Sequence, residues 1–338
     1  MNKRLILPLI LSFFLILSLV AFFFFSNQAE ACNDGTLLDE CSEIKPYFCS
    51  YGKLIENASF CGCSNLSNIS GESCNSNLRT EPKEINFTYV LRGETGTIPF
   101  TVYKGADNYF YNIPRYIDSS ENPSLLDFKL KVVNDEQQKE LLLPLVVKIQ
   151  EITSDKTDQA RIAISLVQFI PFGTSDKVSR IGNIEIDYQR YPYEVLYDYE
   201  GICSEKSELL TFLLKELGYD TAILYYSLEN HDAVGIKCSD ENSLKNTGYC
   251  FVETTGPSII TDDQTEYIGE YDSLSSVPKI LNISHGIFLG ENLYEYKDAQ
   301  TLIDIRKDMQ DYGVINFLQH FQYQALKKKY GLSASNSS

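Results

Sequence analysis

The chain has no tryptophan, only two methionines and three histidines, and few basic residues: Lys and Arg number 29 against 46 Asp and Glu, a formal charge of −17. That balance excludes a nucleic-acid partner, because neutralising phosphates needs a basic stripe that is not here. Lys327-Lys328-Lys329 is the one basic run, and it reads as a solvated helix end rather than a binding patch. There is no internal repeat, no glycine-rich phosphate loop and no EF-hand spacing, although the acidic surface leaves calcium open. At 338 residues the chain can bury a full core, enough for one large domain and a smaller one.

Long apolar runs are also scarce, with one exception. Lys3 and Arg4 precede Leu5 to Phe25, a stretch without a charge and long enough to cross a bilayer. The two cations predict that the N-terminus stays cytoplasmic and the bulk is exported. Ala29-Glu30-Ala31 is an acceptable cleavage site, so residues 1–31 read as a signal anchor, or else as a removed signal peptide that leaves a secreted chain. A lipid-bearing Cys32 fits less well, with Glu30 just before it. Attachment to the membrane through the N-terminal helix is therefore the expectation.

Export permits disulfides, and the cysteines divide accordingly. Six of nine fall within 32–76: Cys32, Cys41, Cys49, Cys61, Cys63 and Cys74. This polar stretch has too few apolar residues for a core, so three disulfides must hold it, with zinc the alternative, although CxC lacks the usual knuckle spacing. Cys238 and Cys250 flank a polar loop, which leaves Cys203 as the odd thiol. Sequons at Asn57, Asn65, Asn68, Asn86 and Asn282 fit a glycosylated exterior. The spacing through Cys61-Gly62-Cys63 is loosely similar to EGF-like modules. With Asn33-Asp34-Gly35-Thr36, Cys41-Ser42 and Lys45-Pro46 it also resembles a short cysteine-rich motif of archaeal surface proteins.

Residues 77–84 read as a linker. Phe87–Leu91 and Thr97–Tyr103 alternate as strands of a hairpin, with Arg92-Gly93-Glu94-Thr95-Gly96 as its turn. Asn134 to Ile152 reads as a helix kinked at Pro144, and Asp155 to Phe169 as a second, capped near Ser154 or Asp155 and ended by Pro171. Tyr188 to Tyr199 is rich in tyrosine. Beyond it Leu210, Leu213, Leu214 and Leu217 form the apolar stripe of a helix, with Gly218 as its left-handed end and Cys203 in its first turn. Unpaired N–H groups at a helix start favour a thiolate. Thr221–Tyr226 and His231–Lys237 read as strands, followed by Tyr249 to Pro257. The tail, 291–338, reads as mostly helical.

His231 and Glu253 thus fall on neighbouring strands packed against the Cys203 helix, the set thiol chemistry needs: Cys203 attacks an acyl carbon, His231 moves the proton, and Glu253 orients the imidazole. The register is less tidy. If Cys238 and Cys250 face each other directly, Glu253 faces Gly235 and His231 lies roughly 13 Å further along its strand. Either a bulge reconciles the two pairs, or the disulfide does not form. Gln189 and Tyr191 are candidates for an oxyanion donor beside the Cys203 N–H. His285 and His320 have no partner motif.

Gly201-x-Cys203 at a helix start, His231 with Ala233-Val234-Gly235, and Glu253-Thr254-Thr255 resemble the transglutaminase-like superfamily, whose fold is papain-related. Tyr191-Pro192-x-Glu194-x-Leu196, Leu217-Gly218-Tyr219-Asp220 and Tyr267-Ile268-Gly269-Glu270 are similar to its exported archaeal and bacterial members, over about residues 84–290. Close relatives usually carry aspartate before the cysteine and acidic residues just after it, where this chain has Ile202, Ser204 and Glu205. The resemblance implies an α+β domain in which a cysteine-bearing helix packs on an antiparallel sheet, and a triad of Cys203, His231 and Glu253. It implies acyl transfer to an amine, or hydrolysis, on a surface protein or peptide, with no metal and no cofactor. A catalytically inactive adhesion or scaffold module is the alternative.

Overall fold

A computed structural model describes residues 31–63, 67–113, 117, 122–181, 184–265 and 274–332. The predicted anchor, Asn65, and the Tyr267–Glu270 motif lie outside these residues. Among the described residues no helix is long and apolar enough to cross a membrane. The chain is α+β, its sheets are antiparallel, and it divides into two compact units that meet in sequence at Ser76 and Asn77.

The first unit holds two short hairpins, β1 (Tyr47–Ser50) with β2 (Lys53–Glu56) and β3 (Ser67–Ser70) with β4 (Ser73–Ser76). Between them a single turn, α1 (Ala58–Cys61), is capped by Asn57. All six cysteines pair, as Cys32–Cys49, Cys41–Cys61 and Cys63–Cys74, so none is left for zinc or for a lipid. Covalent closure replaces the core that this composition cannot build. These three disulfides and a fourth in the second unit fit an extracellular or secreted chain.

The second unit starts where a linker was expected. A 3-10 turn, Asn77–Arg79, leads into β5 (Pro82–Leu91), which pairs over its whole length with β6 (Glu94–Tyr103). The hairpin turn is only Arg92-Gly93, both at positive φ as a type I′ turn requires. Gly96 is a strand residue because Tyr89 faces it and lays its ring over the Cα; a Cβ there would stand 2.3 Å from Tyr89 Cζ. The helices α2 (Lys104–Asn112), α3 (Leu125–Val133), α4 (Glu136–Ile152) and α5 (Lys156–Gln168) follow. Asp135 and Asp155 cap α4 and α5 by accepting from Gln138 N and Asp158 N, and α4 continues through Pro144. A small hairpin, β7 (Val178–Ile181) with β8 (Ile184–Asp187), precedes α6 (Pro192–Asp198) and α7 (Cys203–Glu216). Gly218, at φ +95°, ends α7 as its position predicted.

The central sheet has the order β11 (Tyr249–Val252), β10 (His231–Lys237), β9 (Thr221–Tyr226), β12 (Lys279–Ser284). β12 was not anticipated: it is an edge strand, with Lys279 and Asn282 exposed, Leu281 and Ile283 buried on one face and Ile280 packed on the core cluster of the other. His231, Ala233, Leu224, Tyr226 and Phe251 share one face, the last four in one buried cluster. The tail is α8 (Tyr294–Tyr312) and α9 (Phe317–Tyr330), and it packs on the domain. Glu295 takes a bidentate bond from Arg161, while Ala299, Leu302 and Leu326 close over Ile259. Lys329 of the basic run is tied down by Asp298 at 2.6 Å. Asn86 and Asn282 are exposed on β5 and β12; Asn57 is half-buried, and Asn68 lies in β3.

Leu210, Leu213 and Leu214 are fully buried and Leu217 nearly so, which makes the α7 stripe the inner wall of the domain. Truncating Leu213 to Ala should lower the unfolding free energy by about 3 kcal/mol, read from the midpoint of chemical denaturation at unchanged slope.

Candidate active site

Cys203 is the first residue of α7, half-buried and the one free cysteine. What fixes it there is a group of charges that the apolar stripe did not announce. Ile202, the N-cap, has no side-chain acceptor to offer, so Glu205 reaches back and accepts from Ile202 N at 3.0 Å. Glu205 is in turn gripped by Arg190, whose backbone N–H and guanidinium both donate to it. The same guanidinium binds Asp198, Glu200 and the Gly173 carbonyl, closing the α6 end onto the start of α7. The carboxylate of Glu205, two residues after Cys203, is therefore committed to holding the helix start.

His231 opens β10 and is buried, and its Nε2 stands 2.9 Å from Glu253 Oε2. Cys203 neighbours the ring and lines the same cleft. With Nε2 given to Glu253, Nδ1 is the nitrogen left for the thiol. The register that permits this lies between the two expected. Ile236 faces Cys250 and Val234 faces Val252, so both His231–Glu253 and Cys238–Cys250 are diagonal pairs, each displaced two residues along the ladder in opposite senses. Diagonal neighbours sit roughly 7–8 Å apart at Cα, within reach of long side chains. No bulge is needed, and the disulfide forms with its Cα atoms 5.7 Å apart.

Glu253 is just past the end of β11, where the backbone turns. Its Oε1 accepts from Thr254 N, Thr255 N and Thr255 Oγ1, each at 2.8 Å, while Gln168 of α5 holds its main-chain carbonyl at 2.9 Å. Burial opposes the Glu253 charge, but the bond to His231, the imidazolium charge and the Thr255 bonds outweigh it and lower its pKa. Burial also opposes the His231 charge. Hydrogen bonds to Cys203 and Glu253, and the charges of both, push its pKa up to about 10.

Lys206, one turn into α7, is fully buried, and its Nζ donates to the Ile170 and Thr255 carbonyls at 2.6 and 3.3 Å. Burial brings its pKa down to about 7 against the pull of Glu253. Ser207 bonds the Asp232 carbonyl and Thr254 Oγ1, so α7 is stitched to both strands that carry the site. Sequence reasoning missed these residues, although one signal was present. Leu209-Leu210 and Phe212-Leu213-Leu214 are apolar around most of the helix, which implies burial on all sides and hence buried partners for its charges.

Cys203 and His231 open onto a cleft of about 400 Å³. Gln189 is on its wall, as an oxyanion donor must be. Tyr191 is not among the described lining residues; it is buried against Phe110, ring centroids 5.4 Å apart, and serves the core. Lys129 of α3 crosses the cleft floor to Glu208 Oε1 at 2.7 Å and Asp232 Oδ2 at 2.8 Å. Burial opposes its charge, and the two carboxylates override that and raise its pKa. His285 and His320 are exposed. Among the described residues no group of His, Cys, Asp and Glu is placed to hold a metal. Compared with known proteins, the chain matches no family model, no curated protein and no solved structure.

The signs of the two shifts fix a pH dependence. His231, raised, adds stability that is whole below about 6.5 and is lost as pH rises through about 10. Glu253, lowered, adds stability that is whole above its ordinary 4.5 and is lost as pH falls through its depressed value. Glu253→Gln should therefore cost about 3 kcal/mol near pH 5 to 6.5, and the deficit should narrow on both sides, as measured by urea unfolding across pH.

Proposed function

We propose that this chain is an exported cysteine-dependent acyl transferase or amidohydrolase of the transglutaminase-like, papain-related kind. The observation that carries the reading is one constellation: a free thiol at a helix start, opening onto the same cleft as an imidazole whose Nε2 is held by a buried carboxylate. The Cys203 thiolate adds to the carbonyl carbon of an amide, the C–N bond breaks, and the His231 proton leaves with the amine. The thioester then yields to water or to a second amine, whose proton returns to His231 as the C–S bond breaks. Glu253 keeps the imidazole in the tautomer that faces sulfur and stabilises its charge. The Cys203 N–H and the Gln189 amide are the donors for the oxyanion. A helix-packed antiparallel sheet with this order of cysteine, histidine and acid supports the family reading, as do the motifs on α6 and after α7. The charge-free Leu5–Phe25 run and the disulfides support single-pass attachment with the bulk outside, or secretion after cleavage, and a surface protein or peptide as substrate.

Native protein is alkylated with iodoacetamide across pH and its adducts mapped by mass spectrometry. Cys203 should label rapidly below neutral pH, and His231→Ala and Glu253→Ala should slow it by on the order of tenfold, the effect of one pKa unit on thiolate population. A Cys203 that reacts only after denaturation would leave the fold a non-catalytic adhesion or scaffold module. A biotinylated amine acceptor then separates transfer from hydrolysis.

A further inference from the structure

The cleft beside Cys203 is lined by two buried carboxylates, Glu208 and Asp232. Among the described lining residues Lys129 is the one lysine or arginine, and it is shared between Glu208 and Asp232. Asp232 is the focus. It is 4% exposed and lines the cleft next to His231 in sequence; Lys129 occupies Oδ2, and no donor among the described residues reaches the buried Oδ1. A buried carboxylate oxygen without a donor costs free energy that a ligand's N–H group recovers on binding. On the same helix as Lys129, Leu125, Phe128 and Val132 stand at i, i+3 and i+7 and give the cleft an apolar wall. An aliphatic stem against that wall, ending in a cation at Asp232, is the shape of a lysine or arginine side chain.

We infer that the cleft is a subsite for a basic side chain on the acyl donor, with Asp232 as the residue that selects it. This rests on reading Cys203 as the nucleophile, and it narrows the substrate class to peptides with lysine or arginine beside the acyl group that Cys203 attacks. The chain's formal charge of −17 acts in the same sense, drawing in cationic partners.

Three peptidyl chloromethyl ketones that differ only in the residue next to the reactive carbon, lysyl, norleucyl and glutamyl, test this on the full chain. Second-order rates of Cys203 alkylation are followed by intact mass. The expected order is lysyl above norleucyl above glutamyl, with lysyl favoured about tenfold, the ratio that one charge-assisted contact supplies. In Asp232→Asn the lysyl-to-norleucyl ratio should fall to near one. Equal rates for lysyl and norleucyl on the unaltered protein would overturn the inference and leave the nucleophile standing, and that comparison needs no folded variant. A lysyl preference that survives in folded Asp232→Asn would overturn the role of Asp232. Failure of all three probes to label Cys203 would instead sink the reading of the thiol as a nucleophile.

Discussion

Burying an imidazolium against a carboxylate costs several kcal/mol per ion, and the attraction between them repays it only when every other lone pair is also engaged. The His231–Glu253 contact is such a pair, and much of the domain is arranged to meet its terms. One Glu253 oxygen faces histidine while the other takes three donors from the turn at Thr254 and Thr255. That turn is held by Gln168 from α5 and by Lys206 and Ser207 from α7. The Glu253 carboxylate so held keeps a buried negative charge. A buried ammonium one turn along the same helix is then less an anomaly than a counterweight.

The start of α7 shows the same economy in another form. A helix that begins with an isoleucine cap and a cysteine has no acceptor of its own, so the task passes to Glu205 and through it to Arg190. Arg190 reads as an ordinary surface cation in a tyrosine-rich stretch, yet it is almost wholly buried and joins three acidic residues. The sequence next to a reactive thiol is thus shaped by what holds the helix as well as by what touches substrate.

Elements whose signal is local were legible. β9 and β10 have the predicted bounds, and α4 and α5 lie within two residues of theirs, because period and capping residues act within a few positions. The cysteine, histidine and glutamate were legible as a set because their order in the chain carries the topology. What was not legible depends on cross-strand relations. The hairpin turn was read too long because Gly96 looks like turn chemistry, whereas Tyr89 on the partner strand requires a glycine there. The register puzzle came from treating two pairs as directly opposed when both are diagonal. Tyr191 was assigned to the site from its place before α6, while its burial against Phe110 follows from packing that no motif encodes. Lys129 lies far from the triad in sequence, and only the fold brings it to the cleft.

Cys203, His231 and Glu253 all come from one continuous run, from the start of α7 through β9 and β10 to the residue after β11, with the Cys238–Cys250 bond between β10 and β11. Contacts close along the chain form early and at little loop-closure cost. The reactive centre can therefore assemble while more distant parts of the chain are still seeking their places. For an exported protein with eight cysteines to pair and a ninth to keep free, that order has a use. A thiol already seated beside its own histidine at a folded helix start is withdrawn from the exchange that sorts the others.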